Sequence, residues 1–307
     1  MRAAVIHSHG DDPVVEEVAE PQAAAGQAVA GVLAAGLNPI DLRLASGAIA
    51  RRSPLGAPLG GEGIAVVDGR RVYFDQGSGT FAERAAVQLD SAVAVPDGLA
   101  DGHALAFGIA GLAAWLALER RARVREGESV LVLGASGTVG LIAVQAARLL
   151  GAGRVVAAAR GADGLARAAA LGADATVALG GGGDLTAAFR EAAGGDLDVV
   201  VDPLWGEPAQ AALGALGFRG RLVQLGQSAG ATATLPSVDI RFKELAILGH
   251  TNYAAPPEVC HTALARMFAH AAAGELRADY EAVPLDAIAG AWRRQAASPN
   301  TKLVIVP

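Results

Sequence analysis

The stretch SVLVLGASGTVG, residues 129–140, decides the fold. Residues 130–133 are an apolar run that predicts a buried strand, the glycines after it predict a tight turn, and a helix is predicted from about 138 to 150. Strand and helix go on alternating downstream, which predicts a parallel sheet covered by helices on both faces, an α/β fold. Further strands are predicted at 154–159, 175–179, 197–201, 221–225 and 245–248, and helices at 165–171, 185–193 and 208–216.

Three glycines, Gly134, Gly137 and Gly140, punctuate the turn. The first permits a tight turn, the second lets a ligand approach the backbone, and the third lets the helix pack on the sheet. Free N–H groups at a helix start bind phosphate oxygens, so the turn predicts a dinucleotide site. The alternative is an ordinary strand–turn–helix corner, because Gly-x-x-Gly-x-x-Gly is not the commonest fingerprint. The residues expected at the pyrophosphate are Gly134, Ser136, Gly137, Thr138, Val139 and Gly140.

The second strand of this unit ends at Arg160. An NAD-binding unit usually has Asp or Glu there, which accepts hydrogen bonds from the ribose 2′-hydroxyl. Guanidinium groups suit a 2′-phosphate, so Arg160, with Arg167 in the next helix, favours NADPH. The alternative for Arg160 is a solvated residue at a strand end.

The composition limits the possible partners. The 307 residues carry a formal net charge of −6, and the 25 Lys and Arg form no long basic run, so a nucleic-acid or anionic membrane partner is not expected. Cys260 is the only cysteine, which excludes an intrachain disulfide and a cysteine-rich zinc site. We see no apolar run of membrane-spanning length and no signal-peptide pattern, so a cytoplasmic location is the default expectation.

The chain is long enough for two domains, and its pattern changes near Pro96. Before that point short apolar runs are interrupted by prolines, which predicts a β-rich, barrel-like region. After about Tyr253 we expect a helix (257–273), a short strand, a second helix (285–295) and a terminal strand (302–306).

Other motifs follow one another in order: GLNPID (36–41), GGEG (60–63), GTFAE (79–83), AGLAAW (110–115), LGAD (171–174), DVVVD (198–202) and GRLV (220–223). With the glycine turn, they make the whole chain resemble the zinc-free quinone oxidoreductase branch of the medium-chain dehydrogenase/reductase superfamily. The resemblance implies a GroES-like β-barrel catalytic domain, residues 1–102 and 253–307, and a Rossmann domain with a doubly wound parallel sheet, residues 103–252. It also implies a homodimer, with residues 245–249 near the sheet edge that continues into the second subunit.

Alcohol dehydrogenases of this superfamily hold a catalytic zinc through a cysteine in the first motif and a histidine in the second. The resemblance places Asn38 and Gly61 at those positions, and neither offers the thiolate, imidazole or carboxylate that zinc prefers. We therefore expect no metal. Two other potential ligand pairs, His7 with His9 and Cys260 with His261, are expected to be structural.

The resemblance also implies residues near the reacting atoms. Asn38 is expected beside the nicotinamide, where its amide orients the ring or the substrate; the alternative is a buried Asn that caps the loop before Pro39. Arg43 stands where many quinone reductases have a tyrosine, so it either binds an anionic substrate group or lies in solvent. Tyr253 and Tyr73 remain as hydroxyl donors, with a core or wall role as the alternative for each.

The nicotinamide half of the cofactor is expected at the carboxyl ends of the last sheet strands, where ligands bind in such folds. The resemblance adds a segment near the C-terminus. The residues expected there are Gly226, Gln227, Ser228, His250, Thr251, Asn252 and Lys302.

These expectations define the function that the sequence favours. It is an NADPH-dependent reductase that transfers a hydride, without zinc, to a small quinone or α,β-unsaturated carbonyl. Two alternatives stay open: an enoyl-thioester reductase, and a non-catalytic NADPH-binding redox sensor.

Overall fold

Residues 1–75 and 79–307 are described by the structure, a computed structural model. Two compact units divide the chain. The first comprises Met1–Ala110 and Pro257–Pro307, and the second comprises Gly111–Pro256. The boundaries lie a few residues beyond the predicted 102 and 252, so Tyr253 falls in the second unit.

The first unit is built on a mixed seven-stranded sheet with a two-stranded sheet beside it. Its strands are β1 (Arg2–Val5), β2 (Val14–Glu17), β3 (Gln27–Leu37), β4 (Gly63–Val67), β5 (Arg70–Phe74), β6 (Arg84–Gln88), β7 (Val93–Ala94), β14 (Tyr280–Pro284) and β15 (Lys302–Val306). The helices are α1 (Pro39–Ala45), α2 (Asp101–Ala106), α9 (Pro257–Ala272) and α10 (Ile288–Ala296), with 3₁₀ turns at Leu89–Ser91 and Leu285–Ala287. β14 and β15 pair in parallel, and the other pairings of the larger sheet are antiparallel. The core is apolar, with Phe74, Phe81 and Trp292 among its large side chains.

The second unit contains a six-stranded sheet in which every pairing is parallel. Its strands are β8 (Ser129–Leu133), β9 (Arg154–Ala159), β10 (Ala175–Ala178), β11 (Leu197–Asp202), β12 (Leu216–Gln224) and β13 (Ala246–Gly249). The helices are α3 (Leu112–Leu116), α4 (Thr138–Leu149), α5 (Ala162–Ala170), α6 (Leu185–Ala193), α7 (Gly206–Ala215) and α8 (Ser237–Phe242), with a 3₁₀ turn at Asn252–Ala254. The strand order is β10-β9-β8-β11-β12-β13. The chain moves outward from β8 to one edge and from β11 to the other, which is the doubly wound arrangement with its switch point between β8 and β11.

Burial explains why the central strands are apolar throughout. Val130–Leu133 and Val199–Val201 are completely buried, as expected for strands covered on both faces. The predicted α/β fold class, with a parallel sheet and a second, β-rich unit, is confirmed.

One helical stretch among the described residues, Asp101–Ala122, is long and apolar enough to cross a membrane by length and composition alone. Of its most apolar window, 78% is buried inside the protein, as expected for a helix of the core. The stretch is irregular, because π-helical turns at Phe107–Gly111 and Ala117–Ala122 flank α3.

Candidate functional site

In the glycine turn after β8, the packing of the protein itself requires glycine at two positions, 134 and 140. Gly134 has φ +63°, and a Cβ there would lie 3.1 Å from Leu204 Cδ2. A Cβ on Gly140 would lie 2.4 Å from the carbonyl oxygen of Gly134. These two positions therefore exclude larger residues whether or not a ligand is present.

Gly137 differs from both. Its φ is −85°, which any residue adopts, and a Cβ on it would meet nothing closer than the Gly134 oxygen at 3.7 Å. The α4 helix begins there without a side-chain cap, and the first hydrogen bond of the helix runs from Leu141 N–H to Gly137 O at 2.9 Å. Neither backbone conformation nor packing explains this glycine, and the uncapped N–H groups beside it suit an anionic ligand.

The other predicted residues of this turn surround the same helix start. Thr138 and Val139 form its first turn and are half-buried, as is Ser136. A Cβ on Gly164 would lie 2.3 Å from Ser136 Cβ, so α5 packs directly on the turn.

The two predicted arginines lie at opposite ends of α5. Arg160 is exposed after β9, beside Gly161, the N-cap residue of α5. Arg167 is half-buried in the last turn of that helix. Arg160 alone stands at the strand end where a 2′-phosphate is expected.

The predicted nicotinamide segments leave neighbouring strands at the same edge. Gly226, Gln227 and Ser228 follow β12, and a Cβ on Gly226 would lie 2.7 Å from the Pro203 oxygen. His250 follows β13, where its N–H donates to the Gln224 carbonyl at 3.0 Å.

His250 also pairs with another predicted residue. Its Nε2 lies 3.2 Å from Asn252 Oδ1. Burial lowers the pKa of His250 to about 4, so the imidazole is neutral at pH 7. Thr251 and Tyr253 are exposed, and 59% of the surface of Tyr253 is accessible.

Sequence reasoning missed Asp202, at the carboxyl end of β11. Its side chain is completely buried, and its Oδ1 accepts the backbone N–H groups of Leu204 and Trp205, both at 2.8 Å. Burial raises the pKa of Asp202 to about 6 against these two hydrogen bonds. The sequence does contain a signal for this residue, since an acidic residue stands at the end of the otherwise apolar run before it.

In the first unit, the carboxylate of Glu62 is the centre of a buried hydrogen-bond network. Its Oε1 accepts from Lys302 Nζ at 2.5 Å and from Asn38 Nδ2 at 2.8 Å. Its Oε2 accepts from the Tyr73 hydroxyl at 2.9 Å and from the Ile109 N–H at 2.7 Å. Glu62 is completely buried, and four donors satisfy its charge.

Two glycines make room for that carboxylate. A Cβ on Gly36 would lie 2.2 Å from Glu62 Oε1, and a Cβ on Gly108 would lie 2.2 Å from Oε2. Gly108 also leaves helical geometry, with ψ −122°, inside the π-helical turn. The break in the helix allows the Ile109 N–H to point at the carboxylate, so the local backbone is shaped around Glu62.

Asn38 is the N-cap residue of α1, and its amide is engaged on every side. Its Nδ2 donates to Gly36 O at 3.1 Å as well as to Glu62, and its Oδ1 accepts from Lys302 Nζ at 2.7 Å. Both amide hydrogens are therefore used within the protein. The side chain of Asn38 is thus held by the Glu62 network, and a role of Asn38 toward the cofactor stays a prediction.

Asp41 completes the capping interaction of α1. Its Oδ2 accepts the Asn38 N–H at 2.8 Å. Burial, with a smaller contribution from the charge of Glu62, raises the pKa of Asp41 to about 7. Burial also raises the pKa of Tyr73 well above its ordinary value, so that hydroxyl stays protonated and donates to Glu62.

The structure brings Lys302 and Asn38 together but leaves Arg43 apart from them. Lys302 exposes 3% of its surface and lies in the Glu62 network. Arg43 is exposed in the last turn of α1.

The residues at the expected zinc positions do not fit that metal. The amide of Asn38 is already hydrogen-bonded, and Gly61 has no side chain; its Cβ position would lie 3.3 Å from Asp41 Oδ1. Over residues 1–75 and 79–307 there is no group of three or more His, Cys, Asp or Glu placed to hold a metal ion.

Comparison with known proteins agrees with this architecture. A family model described as "Zinc-binding dehydrogenase" matches residues 138–269. The solved structure of the quinone oxidoreductase from Thermus thermophilus, reported with its NADPH complex, is 32% identical, covers 100% of both chains and has a TM-score of 0.88. The chain therefore belongs to the medium-chain dehydrogenase/reductase superfamily, in its quinone-oxidoreductase-like branch.

Two further relatives are a coenzyme A reductase and a polyketide synthase by their names. The acryloyl-coenzyme A reductase of Metallosphaera sedula is 29% identical over 82% of this chain and 85% of its own length. A phenolphthiocerol/phthiocerol polyketide synthase of Mycobacterium tuberculosis is 30% identical over 95% of this chain. The match spans only 14% of the length of that synthase.

Proposed function

We propose that this chain is an NADPH-dependent reductase of quinones or α,β-unsaturated carbonyls that works without a metal. The observation that carries the proposal is Gly137. It is a glycine that neither its φ nor its packing requires, at the uncapped start of α4. A backbone kept bare at a helix N-terminus after the first strand of a Rossmann sheet suits a pyrophosphate.

The residues that would hold the cofactor lie along one edge of the parallel sheet. Gly134, Ser136, Gly137, Thr138, Val139 and Gly140 would bind the pyrophosphate. Arg160 would bind the 2′-phosphate, since a guanidinium pairs well with phosphate oxygens. A part for Arg167, at the far end of α5, stays a prediction. The nicotinamide half would meet residues 226–228 and 250–252. The NADPH complex of the Thermus relative supports this choice of cofactor.

Bound NADPH supplies a hydride, which leaves negative charge on the oxygen of the substrate. Hydrogen-bond donors must stabilise that charge. Lys302 uses two of its three ammonium hydrogens on Glu62 and Asn38, and we assign the third to the cofactor amide or the substrate oxygen. The Tyr73 hydroxyl donates its hydrogen to Glu62. The proton that completes the reduction therefore comes from solvent or from the exposed Tyr253.

The test is a substrate panel with NADPH, followed by the loss of nicotinamide absorbance. A quinone, an enone and an enoyl thioester are offered to the purified chain at equal concentration, with Gly137→Ala as the matched variant. We expect steady oxidation with the quinone or the enone and strong impairment in the variant. Tight NADPH binding without oxidation of NADPH by any of the three would instead support a redox sensor.

A second candidate is an enoyl-thioester reductase, which the similarity to the acryloyl-coenzyme A reductase favours. In that case the exposed Arg43 would pair with a phosphate of coenzyme A or phosphopantetheine. Arg43→Ala should then raise the KM for an enoyl-coenzyme A and leave that for a free enone unchanged. Arg52→Ala, another exposed arginine, is the matched control.

We also propose that the chain forms a homodimer through the β13 edge. β13 is the last strand of its sheet, and large apolar side chains nearby are exposed, with Phe218 at 63%, Val238 at 58% and Phe242 at 74%. β13 pairs with β12 on one side only among the described residues, and an open strand edge beside an apolar patch suits the same strand of a second copy. Light scattering should give the mass of a dimer for the wild type and of a monomer for Phe242→Glu; a monomeric wild type would refute this arrangement.

A further inference from the structure

Trp205 adopts a backbone conformation that side chains avoid. Its φ is +58° and its ψ is −163°, a region that is essentially restricted to glycine. A glycine in its place would adopt this conformation without strain. The tryptophan at this position therefore carries a steric cost that a glycine would not, so its side chain requires a reason.

The neighbouring contacts hold the strained backbone in place. Asp202 Oδ1 accepts the N–H groups of Leu204 and Trp205, each at 2.8 Å. The Leu204 carbonyl accepts the Ala229 N–H at 2.8 Å. The second carboxylate oxygen of Asp202 is buried without a hydrogen-bond partner in the described part of the chain. The segment from 203 to 206 is therefore held by hydrogen bonds to the buried carboxylate of Asp202 and to the loop after β12.

This segment lies between the two groups of residues expected to bind the dinucleotide. On the side of the glycine turn, a Cβ on Gly134 would lie 3.1 Å from Leu204 Cδ2 and 3.2 Å from Pro203 Cγ. On the other, the Ser228 hydroxyl donates to Pro203 O at 3.3 Å. Trp205 lies just after β11, beside the β8/β11 switch point where ligands bind in doubly wound sheets.

We propose that Trp205 is a cofactor-contact residue. Its half-buried indole packs against the bound dinucleotide between the pyrophosphate and the nicotinamide ribose. The inference rests on the proposed NADPH binding and adds a residue to it. An indole offers a large, rigid surface at small entropic cost, which a glycine does not. The structural alternative is that Trp205 serves only the apolar core of the sheet, against which part of its side chain packs.

The affinities of Trp205→Ala and Trp205→Gly for two ligands distinguish a cofactor contact from a purely structural role. In the proposed arrangement NADPH spans the whole site, whereas 2′,5′-ADP carries only the adenine half and ends before Trp205. We expect both variants to lose affinity for NADPH by about tenfold, or 1.4 kcal/mol, and to keep their affinity for 2′,5′-ADP. Unchanged NADPH affinity, or an equal loss for both ligands, would overturn the proposal.

The two variants also report on the backbone. Both lose the indole, but only glycine removes the strain at φ +58°, so Trp205→Gly should melt at a higher temperature than Trp205→Ala. A lower melting temperature for the glycine variant would contradict the strain on which the inference depends.

Fluorescence gives a readout independent of variant stability. The chain has three tryptophans, and Trp115 and Trp292 are buried. On addition of NADPH, the tryptophan emission that is lost by energy transfer to the nicotinamide should be markedly smaller in Trp205→Phe than in the wild type. Transfer as large in Trp205→Phe as in the wild type would overturn the proposal while leaving NADPH binding intact. A wild type that does not bind NADPH at all would remove the proposed function and this inference together.

Discussion

Lys302 and Glu62 are 240 residues apart in the chain, and their side chains meet at 2.5 Å with 3% and 0% of their surfaces exposed. The ammonium also donates to Asn38 at the start of α1, so one buried cation ties β15 to the segments that precede α1 and β4. Such a pair is stable because further donors saturate the carboxylate.

Removing the cation should therefore be costly. Lys302→Met leaves the buried charge of Glu62 without its strongest partner, and we expect a loss of about 3–5 kcal/mol in the free energy of unfolding, measured with urea. Glu62→Gln combined with Lys302→Met should lose less than the sum of the two single changes. Lys243→Met, at a half-buried lysine whose Nζ donates to Gly214, is the control and should cost about 1 kcal/mol. A loss below that of the control in Lys302→Met would contradict a structural role for the pair.

Asp41 predicts a pH dependence with a definite sign. Its pKa is about 7 in the folded chain, against 3.8 for an ordinary aspartate, so the folded state binds more protons between these values. Stability from this group is present below about pH 4 and is lost as the pH rises to about 7. Asp41→Asn should lack that loss, so between about pH 4 and 7 the difference in the free energy of unfolding should shift by about 4 kcal/mol in favour of the variant. Urea unfolding at pH 5, 6, 7 and 8 measures it, and a constant difference would refute the raised pKa.

Gly140→Ala should reduce the stability of the fold, whereas Gly137→Ala should reduce the affinity for NADPH and leave the stability intact. Alanine at 140 would clash with Gly134 O at 2.4 Å and should destabilise the fold by about 1–3 kcal/mol. Alanine at 137 meets nothing closer than 3.7 Å and should leave the melting temperature unchanged or slightly higher. The same change should weaken NADPH binding, because the methyl group occupies space beside the uncapped N–H groups. Normal NADPH affinity in Gly137→Ala would show that the pyrophosphate lies elsewhere.

Arg160→Glu tests the choice between the two nicotinamide cofactors. A carboxylate there repels a 2′-phosphate, and NADPH affinity should fall by about tenfold to a hundredfold while NADH affinity is kept. Arg241→Glu makes the same charge change at an exposed site on α8 and should alter neither. If both variants behave alike, the 2′-phosphate does not bind at Arg160.

The Rossmann sheet could be predicted from the sequence because its signals are local. An apolar run, a glycine turn and a helical period lie within a few residues of one another, and the predicted strand 154–159 and helix 185–193 coincide with β9 and α6. β12 was predicted too short, from 221, because Gly217 and Gly220 break the apolar pattern over which the strand begins at Leu216. The short helix α1 was missed because Pro39 reads as part of a loop, although proline suits the first helical position.

The Glu62 network was not predictable in the same way. Its members come from separate parts of the chain, and their hydrogen bonds depend on tertiary packing. The break at Gly108 lies within the helical stretch Asp101–Ala122, and only the structure shows that it directs the Ile109 N–H to Glu62. Lys302 was predicted from the resemblance as a cofactor residue, and its contacts to Glu62 and Asn38 add a structural role to that prediction.

Calorimetric titration of the wild-type chain with NADPH and with NADH tests the central claim most directly. The glycine turn with Arg160 in place of an acid predicts saturable binding of NADPH, with NADH weaker by about tenfold or more. Equal affinities, or no binding of either cofactor, would contradict it.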